Sequence, residues 1–315
     1  MTSPAGKLGR DDRPPGVGWP VGANPWIWHS PVTADTLAEV LPRLAGWGFD
    51  CVELPLEQPG DWDPVAVAKL LDTTGLAPAA VIAVMPPGRD LVRADPATVR
   101  ATQDYLRHCV DAAHAIGAPV VAGPVYAAVG RTWRMDAAER AAAYEEWREH
   151  IAPVLAHAAP AASTSKTAHA APAPVRIAVE PLNRYETSLL NTVAQTLDAL
   201  EGLPEHGIGI ALDAYHQNIE ERSLPAAVEA AGHRIVHVQV CANDRGTPGA
   251  DHLDWAGFLG ALRESGYRGA LCVESFTAHN DAIAVAASVW RSLAPSQDAL
   301  ATDGLRFLRR AVAAL

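Results

Sequence analysis

The sequence predicts an α/β protein, a closed (β/α)8 barrel, and three observations carry that prediction. Eight short apolar runs alternate along the chain with segments of helical spacing or helix-forming composition. Four of these runs end in an oxygen-bearing side chain: Glu180 after RIAV, Asp213 after GIAL, Gln239 after IVHV and Glu274 after ALCV. Successive members of this set lie roughly 30 residues apart, the length of one strand-helix unit in an eight-unit barrel of about 250 residues. Finally, no glycine-rich GxGxxG or GxxxxGK[ST] turn follows any strand, which argues against an open, doubly wound sheet. A TIM barrel therefore accounts for the whole pattern.

Taken in order, residues 1–20 carry Gly, Pro and charge without periodicity and are expected to form a loose arm ahead of a single barrel domain, 21–315. Strand one is expected over Val21–Trp28. A helix follows over Thr36–Gly48, with Asp35 as N-cap and Gly46 and Gly48 supplying the stop, although Pro42 interrupts it. FDCVELPL reads as strand two with Glu53 inside it, 64–74 as a helix and 77–84 as strand three. The next helix, Pro96–Ile116, begins behind Asp95 with proline in its first turn. Strand four falls at 118–125, and 137–158 is a helix rich in Ala, Glu and Arg. The stretch 159–174 is low-complexity Ala, Pro, Ser and Thr, an insertion in a loop, where each doubling of length costs only about 0.6 kcal/mol.

Alternation then resumes with strand five, helix 191–203, strand six, helix 223–231, strand seven, helix 254–265 and strand eight at 270–276. Terminal helices are expected around 282–292 and 300–314.

Composition narrows the function. The chain has 25 Lys+Arg against 36 Asp+Glu, a net charge of −11, and shows no segregated basic patch; nucleic-acid binding is not expected. No apolar run is long enough for a signal segment or a membrane span. The four cysteines, Cys51, Cys109, Cys241 and Cys272, are far apart and read as buried thiols of a reducing compartment, so a cytoplasmic protein is expected.

Three carboxylates and an amide converging on one barrel mouth form a concentration of negative charge that needs a cation. Oxygen-only ligation by Glu180, Asp213, Gln239 and Glu274 favours a hard divalent ion, Mn²⁺ first, with Mg²⁺ and Co²⁺ as alternatives. On the same rim, Glu186 follows strand five, His216 strand six and Arg245 strand seven; with the metal they suit the hydroxyls and carbonyl of a small polyol. Trp26, Trp28, Tyr126, Trp133 and Trp255 are candidate pocket walls, Trp28 and Trp255 foremost. Two glutamates at one metal suggest a proton-transfer pair acting beside a carbonyl. Return of the proton to the opposite face is epimerisation; its return to the neighbouring carbon is aldose-ketose isomerisation.

The segments VEPLNRYETSLLNT, LDAYHQNIEE, CANDRGTPGADHLDW and GYRGALCVESF resemble the ketose 3-epimerases, the D-tagatose and D-psicose 3-epimerase group of the xylose-isomerase-like barrel superfamily. GANPWIWHSP, FDCVELPLE and AGPVYAAVGR extend the likeness to the first half, so that it covers about residues 21–292 apart from the insertion. The resemblance implies that Glu180 and Glu274 are both metal ligands and the acid-base pair, and that Asp213 is a third ligand. It also implies that Glu186, His216 and Arg245 contact the sugar and that the chain forms a homodimer or homotetramer. One departure stands out: the group usually reads HxH at the end of strand seven, and here the sequence is His237-Val238-Gln239. Gln239 takes the ligand position, as in the HxQ of related hydroxypyruvate isomerases, which leaves His237 as a supporting or core residue. Ala242 stands where many relatives carry a polar residue. A hydroxypyruvate-type isomerase, a non-catalytic sugar-binding barrel and a nuclease of the endonuclease IV type are the alternatives, the last disfavoured by the charge.

Overall fold

The computed structural model describes residues 18–159 and 174–315. Eight parallel strands close on themselves: β1 (Val21–Ala23), β2 (Cys51–Leu56), β3 (Ala77–Ala83), β4 (Val120–Gly123), β5 (Arg176–Val179), β6 (Ile208–Asp213), β7 (Ile235–Val240) and β8 (Leu271–Val273), with β8 pairing back to β1. Several strands are shorter than their predicted runs: β2 and β4 start later, and β1, β4 and β8 stop earlier, at the rim. Strand one is the clearest case: Asn24 breaks it, and a short 3-10 turn, Pro25–Ile27, carries the chain over the barrel mouth.

Period-two alternation splits the apolar residues between two cores. Outward-facing Val52, Leu54, Ile177, Val179, Ile210 and Leu212 join one large cluster with the helices. Their neighbours face inward, and Ala80, Ile82, Val120, Ala122, Ala178 and Ala211 form a separate cluster inside the barrel. The inner residues are mostly small, so the barrel fills without pushing its polar upper layer apart. Continuing the alternation by one step puts Asn24, Glu180 and Glu274 on the inward face, beside Glu53, Asp213 and Gln239.

Around the barrel run α1 (Ala34–Trp47), α2 (Pro64–Thr74), α3 (Pro96–Ile116), α4 (Ala137–Ala158), α5 (Val193–Ala199), α6 (Ala214–Glu220), α7 (Leu224–Ala231), α8 (Trp255–Glu264), α9 (Asp281–Ala286) and α10 (Gln297–Ala313). Asp95 caps α3 as expected, and α4 opens with a reciprocal Asp136–Glu139 capping box. The cap of α1 is Thr33 rather than Asp35, because Thr33 and Thr36 satisfy each other's backbone amides. α1 also runs through Pro42, its buried face of Leu37, Val40, Leu41 and Leu44 outweighing the one lost backbone bond. Helix α5 is shorter than predicted, and α6 was not predicted at all. α6 starts directly at Asp213, whose carboxylate caps it by accepting from Tyr215 N at 2.7 Å.

The expected arm, 1–20, and loop insertion, 159–174, fall almost wholly outside the described residues. The part of the arm that is described is fastened to the barrel, since the Trp19 indole donates to the Tyr267 carbonyl at 2.8 Å. All four cysteines are buried, and none is part of a disulfide. Among the described residues no helix is long and apolar enough to cross a membrane.

Gly123 ends β4 with φ 140°, and its carbonyl accepts from the Glu180 amide at 3.0 Å. A Cβ there would stand 2.4 Å from the Ala83 carbonyl oxygen. Gly123→Ala is therefore expected to cost about 1–3 kcal/mol, as overpacking against backbone does, measurable by denaturant unfolding with a loss of activity through the displaced Glu180 strand end.

Candidate active site

The inward-facing polar residues meet at the C-terminal end of the strands, where enzymes of this architecture keep their chemistry. Glu180 and Glu274 lie one residue beyond β5 and β8, Asp213 is the last residue of β6, and Gln239 is the fifth residue of β7. All four are buried, none more than 5% exposed. Arg245, in the loop after β7, reaches back over them. Its Nη1 donates to Asp213 Oδ2 and, at 3.2 Å, to Glu274 Oε2. The backbone of Arg245 takes a positive φ of 69°, held by Arg245 N donating to Ala242 O at 3.0 Å and Phe276 N donating to Arg245 O at 2.9 Å. The guanidinium lies against the Tyr215 ring at 4.2 Å and the Phe276 ring at 4.8 Å. Strain tolerated at such a position marks a residue that the surroundings hold in place.

His216, carried by α6, is fully enclosed. Its Nδ1 accepts from Asn183 N at 3.0 Å, and Nε2 is the nitrogen turned toward the carboxylates. That nitrogen faces Glu180 Oε1 at 3.6 Å and Asp213 Oδ2 at 3.7 Å, with Arg245 Nη2 2.8 Å away. Burial, seconded by Arg245, holds the His216 pKa below the ordinary imidazole value. Glu186 sits at the more open side and accepts from Asn183 Nδ2 at 2.8 Å, with His216 Nδ1 4.0 Å away.

The carboxyls divide into two kinds. Burial pushes Glu180 well above the ordinary carboxylate range, and the neighbouring Asp213 adds to the effect. Glu274 is likewise raised by burial, with Arg245 opposing and Glu180 adding to the rise. Asp213 is buried too, yet Arg245 and His216 outweigh the burial and hold it below the usual value. Proton-accepting carboxyls and a fixed anion thus stand side by side, the arrangement that separates acid-base groups from charge-holding ones.

Glu180, Asp213 and His216 offer ligand atoms within 4.8 Å of one another, a grouping able to hold a metal ion. Gln239 adds an amide whose Oε1 is buried and has no hydrogen-bond partner, an orphaned donor oxygen that suits a hard cation.

Two expected residues do not join this cluster. Trp28 turns to the helical layer, where its indole stacks on Trp47 at 5.9 Å and its Nε1 donates to Asp298 at 2.9 Å. Trp255 opens α8, donates to Asp251 and packs edge-on against Phe307 of α10 at 5.3 Å. Trp26 is the tryptophan that packs on the barrel interior and against Phe276 of the mouth.

Two residues of the cluster were not anticipated, Asn24 and Glu53. Glu53, in the middle of β2 and wholly buried, accepts from Asn24 Nδ2 at 2.8 Å, Gln239 Nε2 at 3.1 Å and His237 Nε2 at 2.7 Å. The supporting role expected for His237 is visible in this contact.

Residues 41–311 match the family described as xylose isomerase-like TIM barrel. A probable ketose 3-epimerase from Synechocystis sp. is 32% identical over 289 residues, covering 92% of this chain and 95% of that one. An L-ribulose 3-epimerase from Methylomonas sp. is 28% identical over 295 residues, covering 92% and 96%. Among solved structures, a D-allulose 3-epimerase from Methylomonas sp. in complex with D-allulose has a TM-score of 0.77 at 26% identity, covering 93% of this chain and 97% of that chain. An AP endonuclease from Brucella melitensis, at 20% identity and a TM-score of 0.63, shares the fold alone. With its closed eight-stranded barrel, its rim cluster and ketose 3-epimerases among its relatives, the chain belongs to the xylose isomerase-like TIM barrel family.

Proposed function

We propose that the protein is a divalent-metal-dependent ketose 3-epimerase. The observation that carries this reading is the pair of buried glutamates, Glu180 and Glu274, both raised by burial and both gathered around the Asp213–Arg245 ion pair. A carboxyl held above its ordinary range by burial binds a proton more readily than a free one, as a group that accepts and returns protons must. Positioned on β5 and β8, three strands apart in the closed barrel, the two glutamates reach a bound ketose from different sides. One removes the proton from C3 and the other delivers a proton to the opposite face, which inverts that carbon.

Glu180, Asp213, Gln239 and Glu274 would hold the metal, Mn²⁺ being the first choice for an oxygen donor set. When bound, such an ion polarises the carbonyl and its neighbouring hydroxyl and so acidifies the adjacent C–H. His216, held by Asn183, turns its Nε2 toward the carboxylates and is placed to contact a substrate oxygen. Arg245 provides the fixed positive charge that steadies oxygen atoms gaining negative charge, and Glu186 accepts from a hydroxyl at the open side of the pocket. Trp26 and Phe276 supply the apolar wall, in place of Trp28 and Trp255.

A second reading, hydroxypyruvate-type isomerisation, is favoured by Gln239 alone. Both readings are separated by one assay. Protein stripped with a chelator is expected to lose at least 100-fold in turnover of D-allulose and L-ribulose and to recover it on addition of Mn²⁺, with hydroxypyruvate unchanged throughout. Full turnover after stripping would contradict the metal requirement, and turnover of hydroxypyruvate alone would favour the second reading.

A further inference from the structure

Glu53 and Glu274 are joined by two side-chain amides. Asn24 Nδ2 lies 2.8 Å from Glu53 Oε1 and 3.2 Å from Glu274 Oε1; Gln239 Nε2 lies 3.1 Å and 2.8 Å from the same two oxygens. The orientation of Asn24 is fixed independently, because its Oδ1 accepts from Trp26 N at 2.9 Å and its NH2 must then face the carboxylates. The orientation of Gln239 has no such backbone anchor. Turned over, it would set its carbonyl oxygen against Glu53 Oε1, an acceptor against an acceptor in a buried place, which is costly. His237 occupies the other oxygen of Glu53, Oε2, at 2.7 Å and keeps the carboxylate from rotating away. The consequence is that Gln239 Oε1 faces elsewhere, buried and without a partner.

We propose that Glu53 is the positioning residue of the site: by accepting the Gln239 NH2 it presents the Gln239 carbonyl oxygen to the metal, and through the shared amides it fixes Glu274 Oε1 while leaving Glu274 Oε2 to Arg245 and the reacting centre. This rests on the metal-dependent reading given above. It also accounts for an amide in the ligand position. A glutamine is a definite oxygen donor only when something consumes its two N–H groups, and Glu53 with Glu274 does so. In this reading Glu53 acts through the Asn24 and Gln239 amides.

The test is Mn²⁺ affinity, read from free Mn²⁺ by electron paramagnetic resonance, on the wild type, Glu53→Gln, Gln239→Ala, the double variant and Asp213→Ala. Glu53→Gln keeps the shape but offers an NH2 that lets Gln239 turn over. It is expected to weaken Mn²⁺ binding about 10–100-fold, the usual size of an effect from a residue that orients a ligand. The double variant is expected to bind no more weakly than Gln239→Ala, because the two residues act through one contact. A thermal melt of each metal-free variant shows whether it is folded.

Wild-type affinity in folded Glu53→Gln, or losses that simply multiply in the double variant, would overturn the proposal. If instead the wild type bound no Mn²⁺, or Asp213→Ala bound it as well as the wild type, the metal site itself would fall, and the role of Glu53 with it.

Discussion

Glu180→Gln and Glu274→Gln are each expected to lower kcat for 3-epimerisation by about 10²–10⁴-fold, the range that a general acid or base contributes. Each change keeps the volume of the side chain and replaces a carboxyl that burial already drives toward its neutral form, so the barrel is expected to stay folded. The two variants should differ from each other in a telling way. With Glu180 gone, Glu274 still faces one side of C3 and still exchanges the proton of the epimer that presents it there; with Glu274 gone, the opposite epimer exchanges. Inversion fails in both. Steady-state kinetics in the two directions, alongside single-epimer exchange, checks this. A folded variant that keeps wild-type turnover would remove its residue from the acid-base pair.

Arg245→Met carries the second large effect. The guanidinium is buried among Asp213, Glu274, His216 and the rings of Tyr215 and Phe276, and its charge offsets the carboxylates. Removing one partner from a buried ion pair leaves the other charge uncompensated and costs roughly 3–5 kcal/mol. The metal-free variant is therefore expected to unfold at a distinctly lower denaturant concentration than the metal-free wild type. Mn²⁺ should restore more stability to the variant than it adds to the wild type, because the added cation takes over part of the lost compensation. Paired urea titrations with and without Mn²⁺ measure both quantities. Equal stabilisation of the two proteins by Mn²⁺ would mean that Arg245 and the metal do not share the same carboxylates.

Much of this site could be read from the chain because a parallel strand has a simple grammar. Ile177-Ala178-Val179 is apolar on both faces, and the first carboxylate after it must stand at the rim; the same holds for Asp213 and Glu274. Glu53 obeys a different rule. Its strand continues as Leu54-Pro55-Leu56 beyond the carboxylate, so the residue looks embedded rather than terminal, and only barrel closure brings it opposite His237 and Gln239 across β1 and β8. The signal available was the oddity of a glutamate in a wholly apolar run, which is tolerated only where several donors await it.

Helix α6 was hidden because its cap, Asp213, is also a site residue and its seven residues are too few for a helical period to show. The placing of the tryptophans rests on something else again. Trp26 lies inside the 3-10 turn Pro25–Ile27 and Trp28 caps its C-terminal end, and which of them faces the barrel depends on how Asn24 and Pro25 turn the chain, a matter that apolar periodicity does not address.

Solvent-deuterium incorporation into the ketose is the measurement that bears most directly on the central claim. Mn²⁺-loaded protein would be incubated in D2O with D-allulose and L-ribulose, and the products followed by NMR and mass spectrometry. Two-sided proton transfer by Glu180 and Glu274 predicts deuterium at C3, inversion at that carbon and no deuterated aldose or aldehyde. Deuterium on the carbon of an aldose product, or inversion at C3 without any solvent label in either epimer, would contradict it.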